Sequence, residues 1–367
     1  MPISEMALQL SISQAAFLGV ASLIFQRHTY IGKLLIAFSV CMLGYLFYHQ
    51  YYYDSLGSND FLPYFLGRLS YGIPGIIWLF AYALFEHEKK VPKFVWLVIA
   101  TYFVLKAVGV AYYPWEGEHE AGDALYVLFY IIPQIINTGM YLHTLSLAIS
   151  EYQQDLIEAR RNLRVYFVAV LGSFWLLVSV QVSVSVLMRM GLAQDLLEDA
   201  YELVNNALSI LIFPVGLAVN LMLFNVRSLS FGLSEERLVN GSAESPRTEK
   251  IDPKDLQLRD ALLHAMDEDK LYCQTGLTIG KLAKQMNAQE YRLRSVINRV
   301  LGYNNFSGFL NKYRIKEAEA RLINTSDSIF NIGLDVGYTS LSSFHKAFKE
   351  AHGITPKEFR VLSRHAE

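Results

Sequence analysis

Two stretches near the C-terminal end carry mostly polar and basic side chains beside an apolar helical stripe. In the first stretch these side chains are Glu290, Tyr291, Arg292, Arg294, Ser295, Asn298 and Arg299. In the second they are Ser340, Leu341, Ser342, His345, Lys346 and Lys349. Arginine can donate two parallel hydrogen bonds to a guanine, whereas serine and lysine discriminate less between bases. Both arginine and lysine neutralise the charge of phosphates. These residue types suit contact with a nucleic acid, and a solvated protein surface is the alternative for each of them.

The first stretch follows a short helix and a tight turn. Thr278 is the predicted N-cap of the short helix, whose apolar face is Ile279, Leu282, Ala283 and Met286. A polar break at 287–289 leads into a second helix from Glu290 to Leu301, with the inward stripe Leu293, Val296, Ile297 and Val300. A helix, a tight turn and a second helix with an exposed polar face form the helix-turn-helix layout.

The same layout returns about 50 residues later. Ile329, Ile332, Gly333 and Val336 predict a first helix, and Phe344, Ala347 and Phe348 give the stripe of a second helix from Ser340 to His352. Gly337 lies in the turn between them and is expected to adopt a positive φ, and Gly353 is expected to end the second helix. The spacer 305–323 is roughly 28 Å long as a helix, close to the about 34 Å between successive major-groove segments on one face of DNA.

The stretch from Arg314 to Arg360 carries an ordered set of short patterns. They are Ile-x-x-Ile, Gly-Tyr, Ser-x-x-x-Phe, Phe-Lys, Gly-x-Thr-Pro and Phe-Arg. In this order and spacing, residues 270–362, about a quarter of the chain, resemble the DNA-binding domain of AraC/XylS-family transcriptional regulators. The departures are Gly333 where Ala is usual, Tyr338 where Phe is more common, and Gln289 where Ser or Thr often caps the reading helix.

The resemblance implies an all-α domain with two helix-turn-helix units joined by a linker helix, which binds double-stranded promoter DNA. It places base contacts at Tyr291, Arg294 and Ser295 in the first unit. In the second unit the corresponding positions are Leu341, Ser342, His345 and Lys346. Arg292, Arg299 and Lys349 are expected to contact phosphate or solvent. RNA polymerase and a second copy of the chain are further expected partners.

The charge balance of the C-terminal part agrees with a nucleic-acid partner. From residue 270 onwards there are 15 Lys and Arg against 8 Asp and Glu, a net charge of +7, although the whole chain carries −2. A local excess of positive charge is what phosphate binding requires. A basic domain lying against anionic lipid is the alternative, and it does not explain the duplicated helix-turn-helix.

The rest of the chain is predicted to be a membrane helix bundle. A membrane-spanning helix needs about 20 mostly apolar residues. Seven segments qualify: 7–26, 34–53, 61–85, 93–113, 124–149, 165–188 and 201–224. We interpret the first segment as a retained helix, because it lacks a basic N-terminal region and a small-residue cleavage site. The expected domains are a transmembrane sensor at 1–226, a flexible linker at 227–254 and a DNA-binding domain at 255–367.

Basic residues alternate between the connections of these spans. The first, third and fifth connections contain Arg27, Lys33, Lys89, Lys90, Lys93, Arg160, Arg161 and Arg164, whereas the even-numbered ones contain Arg189 alone. Because cytoplasmic loops are enriched in Lys and Arg, the N-terminus is predicted outside and the C-terminal domain in the cytoplasm. The expected location is the bacterial inner membrane.

Arg68 and Lys106 stand inside apolar spans, at a similar predicted depth in the outer half of the membrane. One interpretation is that both side chains reach the outer headgroups. The other is an outward-facing cationic cleft, lined by Tyr64 and Tyr102, that binds an anionic signal ligand or a lipid headgroup.

We therefore expect a membrane-bound one-component transcriptional regulator without a cofactor or metal. No Walker-type phosphate loop, Gly-x-Ser-x-Gly elbow, His-Glu-x-x-His or Cys-x-x-Cys pattern points to an enzyme. The alternative is an integral-membrane enzyme or transporter with a fused DNA-binding regulatory domain. Proteolytic release of the C-terminal domain from its linker is a further hypothesis.

The predicted topology can be tested with fusions. A reporter that is active only in the cytoplasm should work after Arg164 or Arg227 and fail after Asp60 or Glu118, because the basic connections stay inside. The reverse pattern of reporter activity would refute both the orientation and the cytoplasmic position of the C-terminal domain.

Overall fold

A computed structural model describes residues 3–54, 66–86, 91–112, 124–189, 199–200, 203–204, 206–208, 210–217 and 252–364. The described chain is helical, as predicted, and its one isolated antiparallel bridge joins Asp155 to Asn305. It divides into two compact units, Met1–Ser150 with Leu163–Gly232, and Glu151–Asn162 with Leu233–Glu367. The predicted linker lies almost entirely outside the described residues.

The first unit is built from long apolar helices. They are α1 Ile3–Phe25, α2 Tyr30–Asp54, α3 Ile73–Phe85 after a 3₁₀ turn at Ser70–Gly72, α4 Lys93–Tyr112, α5 Ile132–Ser150 after helical turns at Ala124–Tyr126 and Val127–Ile131, and α6 Glu158–Arg189, whose first residues belong to the second unit. Within the described ranges, four helical stretches are long and apolar enough to cross a membrane: Met6–Phe25, Tyr30–Tyr48, Leu66–Phe85 and Arg160–Gln181. Seven spans stay a prediction, and the segment 201–224 is described only in part.

A buried arginine ties the helix ends of the first unit together. The Arg164 side chain is only 1% exposed. One of its terminal nitrogens donates to the carbonyl oxygens of Leu147 (3.0 Å) and Ala148 (3.1 Å) near the end of α5, and the other donates to Phe85 O (3.3 Å) at the end of α3. The last carbonyls of a helix have no partner within the helix and carry partial negative charge. Arg164 therefore caps the ends of α3 and α5. Its position among the basic residues of the fifth connection did not predict this role.

From Pro253 onwards, the described part of the second unit contains seven α-helices. They are α7 Pro253–Asp267, α8 Ile279–Gln285, α9 Glu290–Ser295, α10 Phe306–Asn324, α11 Ile329–Asp335, α12 Leu341–His352 and α13 Pro356–Arg364. Side-chain oxygens of Thr278, Ser328 and Ser340 accept hydrogen bonds from backbone N–H groups in the first turns of α8, α11 and α12. The predicted cap at Thr278 is thus confirmed, and each cap satisfies a donor that would otherwise lack a partner.

Helix α10 belongs to two hydrophobic cores. Its N-terminal half contributes Phe306, Phe309 and Leu310 to a core with α7, α8 and α9. Its C-terminal half contributes Ile315, Ala318 and Leu322 to a core with α11 and α12. Both helix-turn-helix units are therefore built on one continuous helix, as the sequence spacing predicted.

Arg314 lies at the middle of α10, where the two cores meet, and is 8% exposed. Its Nε donates to Tyr272 O (2.8 Å) and its Nη2 to Gln274 O (3.2 Å), both beyond the end of α7. Its guanidinium also lies 5.3 Å from the ring centre of Tyr338, in the turn of the second unit. Burial lowers the pKa of Arg314 and raises the pKa of Tyr338 to about 12. One side chain thus joins the first unit, the spacer helix and the second unit.

Gly337 leaves the space that Arg314 occupies. Its φ is +100°, as expected for the turn, and a Cβ at this position would lie 2.5 Å from Tyr272 O and 2.9 Å from Arg314 Nη2. Gly353 also has a positive φ, of +75°, but nothing lies within 4 Å of its missing Cβ. A substitution at Gly353 therefore introduces backbone strain alone, whereas one at Gly337 introduces both strain and steric contact.

Gly353→Ala should cost about 1 kcal/mol, the strain of a left-handed alanine. Gly337→Ala should cost at least about 2 kcal/mol more, because it also displaces a backbone carbonyl and its hydrogen-bonded guanidinium. Pulse proteolysis of the detergent-purified full chain across a urea series would measure the free energy of unfolding of the C-terminal domain. Equal losses in the two variants would show that the space beside Arg314 is not limiting.

Candidate nucleic-acid interface

The reading helix of the first unit is held by its apolar stripe. Helix α9 continues as a π-helical turn at Val296–Val300, and Leu293, Val296 and Ile297 are fully buried, as predicted. Gln289 precedes the helix without making a side-chain cap hydrogen bond. The core, rather than a cap, therefore sets the position of α9.

The side chains beside this stripe have different surroundings. Tyr291 is 67% exposed, Arg299 is exposed and Ser295 is half-buried. The amide of Asn298 donates to Tyr303 O (2.9 Å) and so helps to close the loop that follows the helix. Of these four residues, Tyr291 and Arg299 present the most accessible surface.

Arg292 is held by two acidic side chains at the start of α7. Its Nη2 lies 2.6 Å from Asp255 Oδ1 and 3.0 Å from Asp252 Oδ2. The hydrogen bond to Asp255 raises the pKa of Arg292. Its positive charge is therefore largely balanced within the domain.

Arg294 is buried, with an exposure of 6%. Its Nε and Nη2 donate to Glu290 Oε1 at 3.0 and 2.6 Å. Its Nη1 donates to Gln153 O (3.1 Å) and Asp155 O (2.9 Å), in the segment Glu151–Asn162 of the same unit. The residue whose chemistry best suits base recognition is therefore fully engaged within the protein.

The second reading helix presents a more open face. Phe344, Ala347 and Phe348 are buried, which confirms the predicted stripe. Leu341, Ser342 and Lys349 are exposed, and Lys346 is 71% exposed with an ion pair of 3.6 Å to Glu350. Ser340 is engaged as the N-cap. The half-buried His345 has a buried Nε2 for which the described residues offer no hydrogen-bond partner.

Arg68 and Lys106 come together in the first unit, around the ring of Tyr71. Arg68 donates to the Tyr71 hydroxyl, and its guanidinium lies 5.7 Å from the ring centre. Lys106 Nζ lies 5.3 Å from the same ring and 5.8 Å from that of Tyr130. Tyr102 is buried and Tyr64 is outside the described residues.

Among the described side chains, no group of three or more His, Cys, Asp or Glu could hold a metal ion.

Residues 282–361 match the family described as "Helix-turn-helix domain". An uncharacterized HTH-type transcriptional regulator of Staphylococcus aureus strain MSSA476 is 31% identical over 101 residues, which are 28% of this chain and 13% of the relative. The HTH-type transcriptional activator FapR of Escherichia coli is 32% identical over 83 residues, 23% of this chain and 31% of FapR. The solved C-terminal domain of AraT, a response regulator from Geobacillus stearothermophilus, is 28% identical with a TM-score of 0.26, over 31% of this chain and 88% of that one.

These matches concern the C-terminal part, and the chain spans less than a third of the length of the two curated relatives. The C-terminal part is a helix-turn-helix domain of the AraC type. The relatives are described as regulators of transcription, and their descriptions name no enzymatic activity.

Proposed function

We propose that this chain is a one-component transcriptional regulator anchored in the bacterial inner membrane, with a cytoplasmic domain that binds double-stranded promoter DNA. The observation that carries the proposal is the pair of helix-turn-helix units built on the single helix α10. Because one rigid spacer holds both units, two reading helices can act on the same duplex. A net charge of +7 from residue 270 onwards favours association with phosphate.

The apolar helices support the membrane part of the proposal. Besides the four stretches of sufficient length, large apolar side chains such as Phe17, Leu97 and Leu176 are more than half exposed. An extended apolar surface of this kind is unfavourable in water and suits contact with lipid. In this proposal RNA polymerase and a second copy of the chain are partners at the promoter, and the membrane helices respond to a signal.

DNA binding can be tested with two variants that each remove one positive charge. Lys346→Ala should weaken binding to any duplex and reduce the slope of log K against log salt by about 0.9, the value for one lost phosphate contact. Arg292→Ala should leave this slope nearly unchanged, because Asp252 and Asp255 already balance its charge. The measurement is a fluorescence-anisotropy titration of the full chain in nanodiscs over a range of salt concentrations. No DNA binding, or equal slopes for both variants, would contradict this assignment.

For the signal, the proposal is an anionic ligand or lipid headgroup bound near Arg68 and Lys106. The support is that two cations from different helices meet at the ring of Tyr71. A cation within the membrane is costly unless it is paired or reaches water, so a cluster of two is more often functional than incidental.

Arg68→Gln should therefore hold the output of a promoter reporter at one level, with normal abundance in the membrane. The matched control is Lys33→Gln, which removes an exposed cation next to a predicted span. That variant should still respond to the inducing condition. A normal response of Arg68→Gln would favour headgroup snorkelling instead.

A further inference from the structure

The segment Glu151–Asn162 packs as part of the C-terminal unit, although in sequence it joins the apolar helices α5 and α6. Leu156 N donates to Asn304 O (3.2 Å), and Phe306 N donates to Gln154 O (2.9 Å). These two bonds flank the antiparallel bridge between Asp155 and Asn305. The segment thus binds the loop between α9 and α10 through its backbone.

Side chains strengthen this docking. Leu156 is buried in the same core as Leu293, Ile297 and Phe306. The fully buried carboxylate of Asp155 accepts two hydrogen bonds from Arg160, at 2.5 and 2.9 Å. The same carboxylate also accepts from Ile157 N, at 3.1 Å. Because a buried carboxylate is costly without its cationic partner, loss of Arg160 should destabilise Asp155 in its buried position.

The docked segment occupies Arg294. The guanidinium of Arg294 donates to Glu290 from one edge, through Nε and Nη2, and its remaining terminal nitrogen donates to the two carbonyl oxygens of the segment. Reading a guanine requires two N–H donors on one edge of the guanidinium, directed outward into the major groove. Arg294 cannot satisfy that geometry and these four hydrogen bonds at once.

We infer that Glu151–Asn162 is an intramolecular cover of the first reading helix, and that its docking competes with sequence-specific DNA binding by Arg294. In the docked state the second reading helix is accessible, and the first lacks its arginine. Undocking frees Arg294 Nη1 and exposes the guanidinium to a base. The covalent link of the segment to α5 and α6 gives the apolar helices a direct means of controlling the cover. This inference rests on the proposed DNA-binding function.

The first test loosens the cover without changing the reading helix. Arg160→Ala removes the cationic partner of Asp155. It should raise the affinity of the full chain for a selected duplex by about tenfold, as expected when the state competent for DNA binding changes from a minor to the major population. The matched control is Arg161→Ala, which removes the same charge from the neighbouring position. Arg161 contacts Tyr152 within the segment, at 4.9 Å from the ring centre, and this variant should bind as the unaltered chain does.

The probe for this titration is a duplex enriched from a random-sequence library by the Arg160→Ala chain in nanodiscs, compared with a shuffled duplex. Hydrogen exchange at the Phe306 amide, which donates to Gln154 O, reports docking independently of DNA. Exchange at this amide should accelerate in Arg160→Ala and stay slow in Arg161→Ala.

The second test locks the cover. In an antiparallel bridge flanked by hydrogen bonds of this kind, the facing Cα atoms lie about 4.5 Å apart, within the range that a disulfide joins. Asp155→Cys with Asn305→Cys, in a chain carrying Cys41→Ser and Cys273→Ser, should bind the selected duplex weakly when oxidised and tightly when reduced. Asp155→Cys without the second change should bind tightly in both conditions.

The outcomes separate the cover from the proposed function. Faster exchange at Phe306 with unchanged DNA affinity would overturn the cover, as would a disulfide that forms without altering affinity. If no chain, including the reduced pair, enriches any duplex, the proposed function itself fails and the cover fails with it.

Discussion

The buried guanidinium of Arg314 is the constraint on which the arrangement of the C-terminal unit depends. Its hydrogen bonds reach back to Tyr272 and Gln274, and its guanidinium lies over the ring of Tyr338 in the second helix-turn-helix unit. A buried cation is stable only when its donors are satisfied, so the backbone around it must keep its conformation. Gly337 packs against this guanidinium, and a side chain at that position would meet Tyr272 O and Arg314 Nη2.

A second polar network lies beside Arg314 and connects the same elements. Glu317 accepts from Lys270 at 3.1 Å and from Arg321 at 3.2 Å, and Arg321 also reaches Asp335 at the end of α11. Burial acts to raise the pKa of Glu317, but these two hydrogen bonds make the net shift downward. The two helix-turn-helix units are thus joined by polar contacts as well as by the shared helix α10. A duplex would therefore meet two reading helices whose spacing is set by one folded body.

In the first reading helix, a positive charge does not by itself make a side chain available for contact with DNA. Arg292 and Arg294 are two residues apart, and both pair with carboxylates of the domain. Arg294 differs because it also donates to backbone oxygens from a distant part of the sequence. A guanidinium that already makes hydrogen bonds must exchange them for contacts with DNA, so its net contribution to affinity depends on the state of its protein partners. Two surfaces with the same number of basic residues can therefore differ in whether those residues can contact DNA. The segment Glu151–Asn162 can regulate DNA binding because it changes whether Arg294 can make such contacts.

Local sequence patterns determined the helix-turn-helix elements, because their signals act over a few residues. The apolar stripes at Leu293 and Phe344, the cap at Thr278 and the glycine at Gly353 each have a local physical cause, and the structure confirms all four. The apolar stretches likewise predicted helices. That seven of them span a membrane stays a prediction.

Only the tertiary structure decided which basic side chains have partners. Arg160, Arg161 and Arg164 follow one another closely and had a single interpretation, as cations of a cytoplasmic connection. In the structure Arg164 caps two helix ends, Arg160 holds a buried carboxylate, and Arg161 lies over an aromatic ring. Likewise, the sequence near Arg294 contains its partner Glu290 but does not indicate that its two other partners are 139 and 141 residues away. Contacts of this kind depend on where distant segments pack, and a local pattern contains no record of that packing.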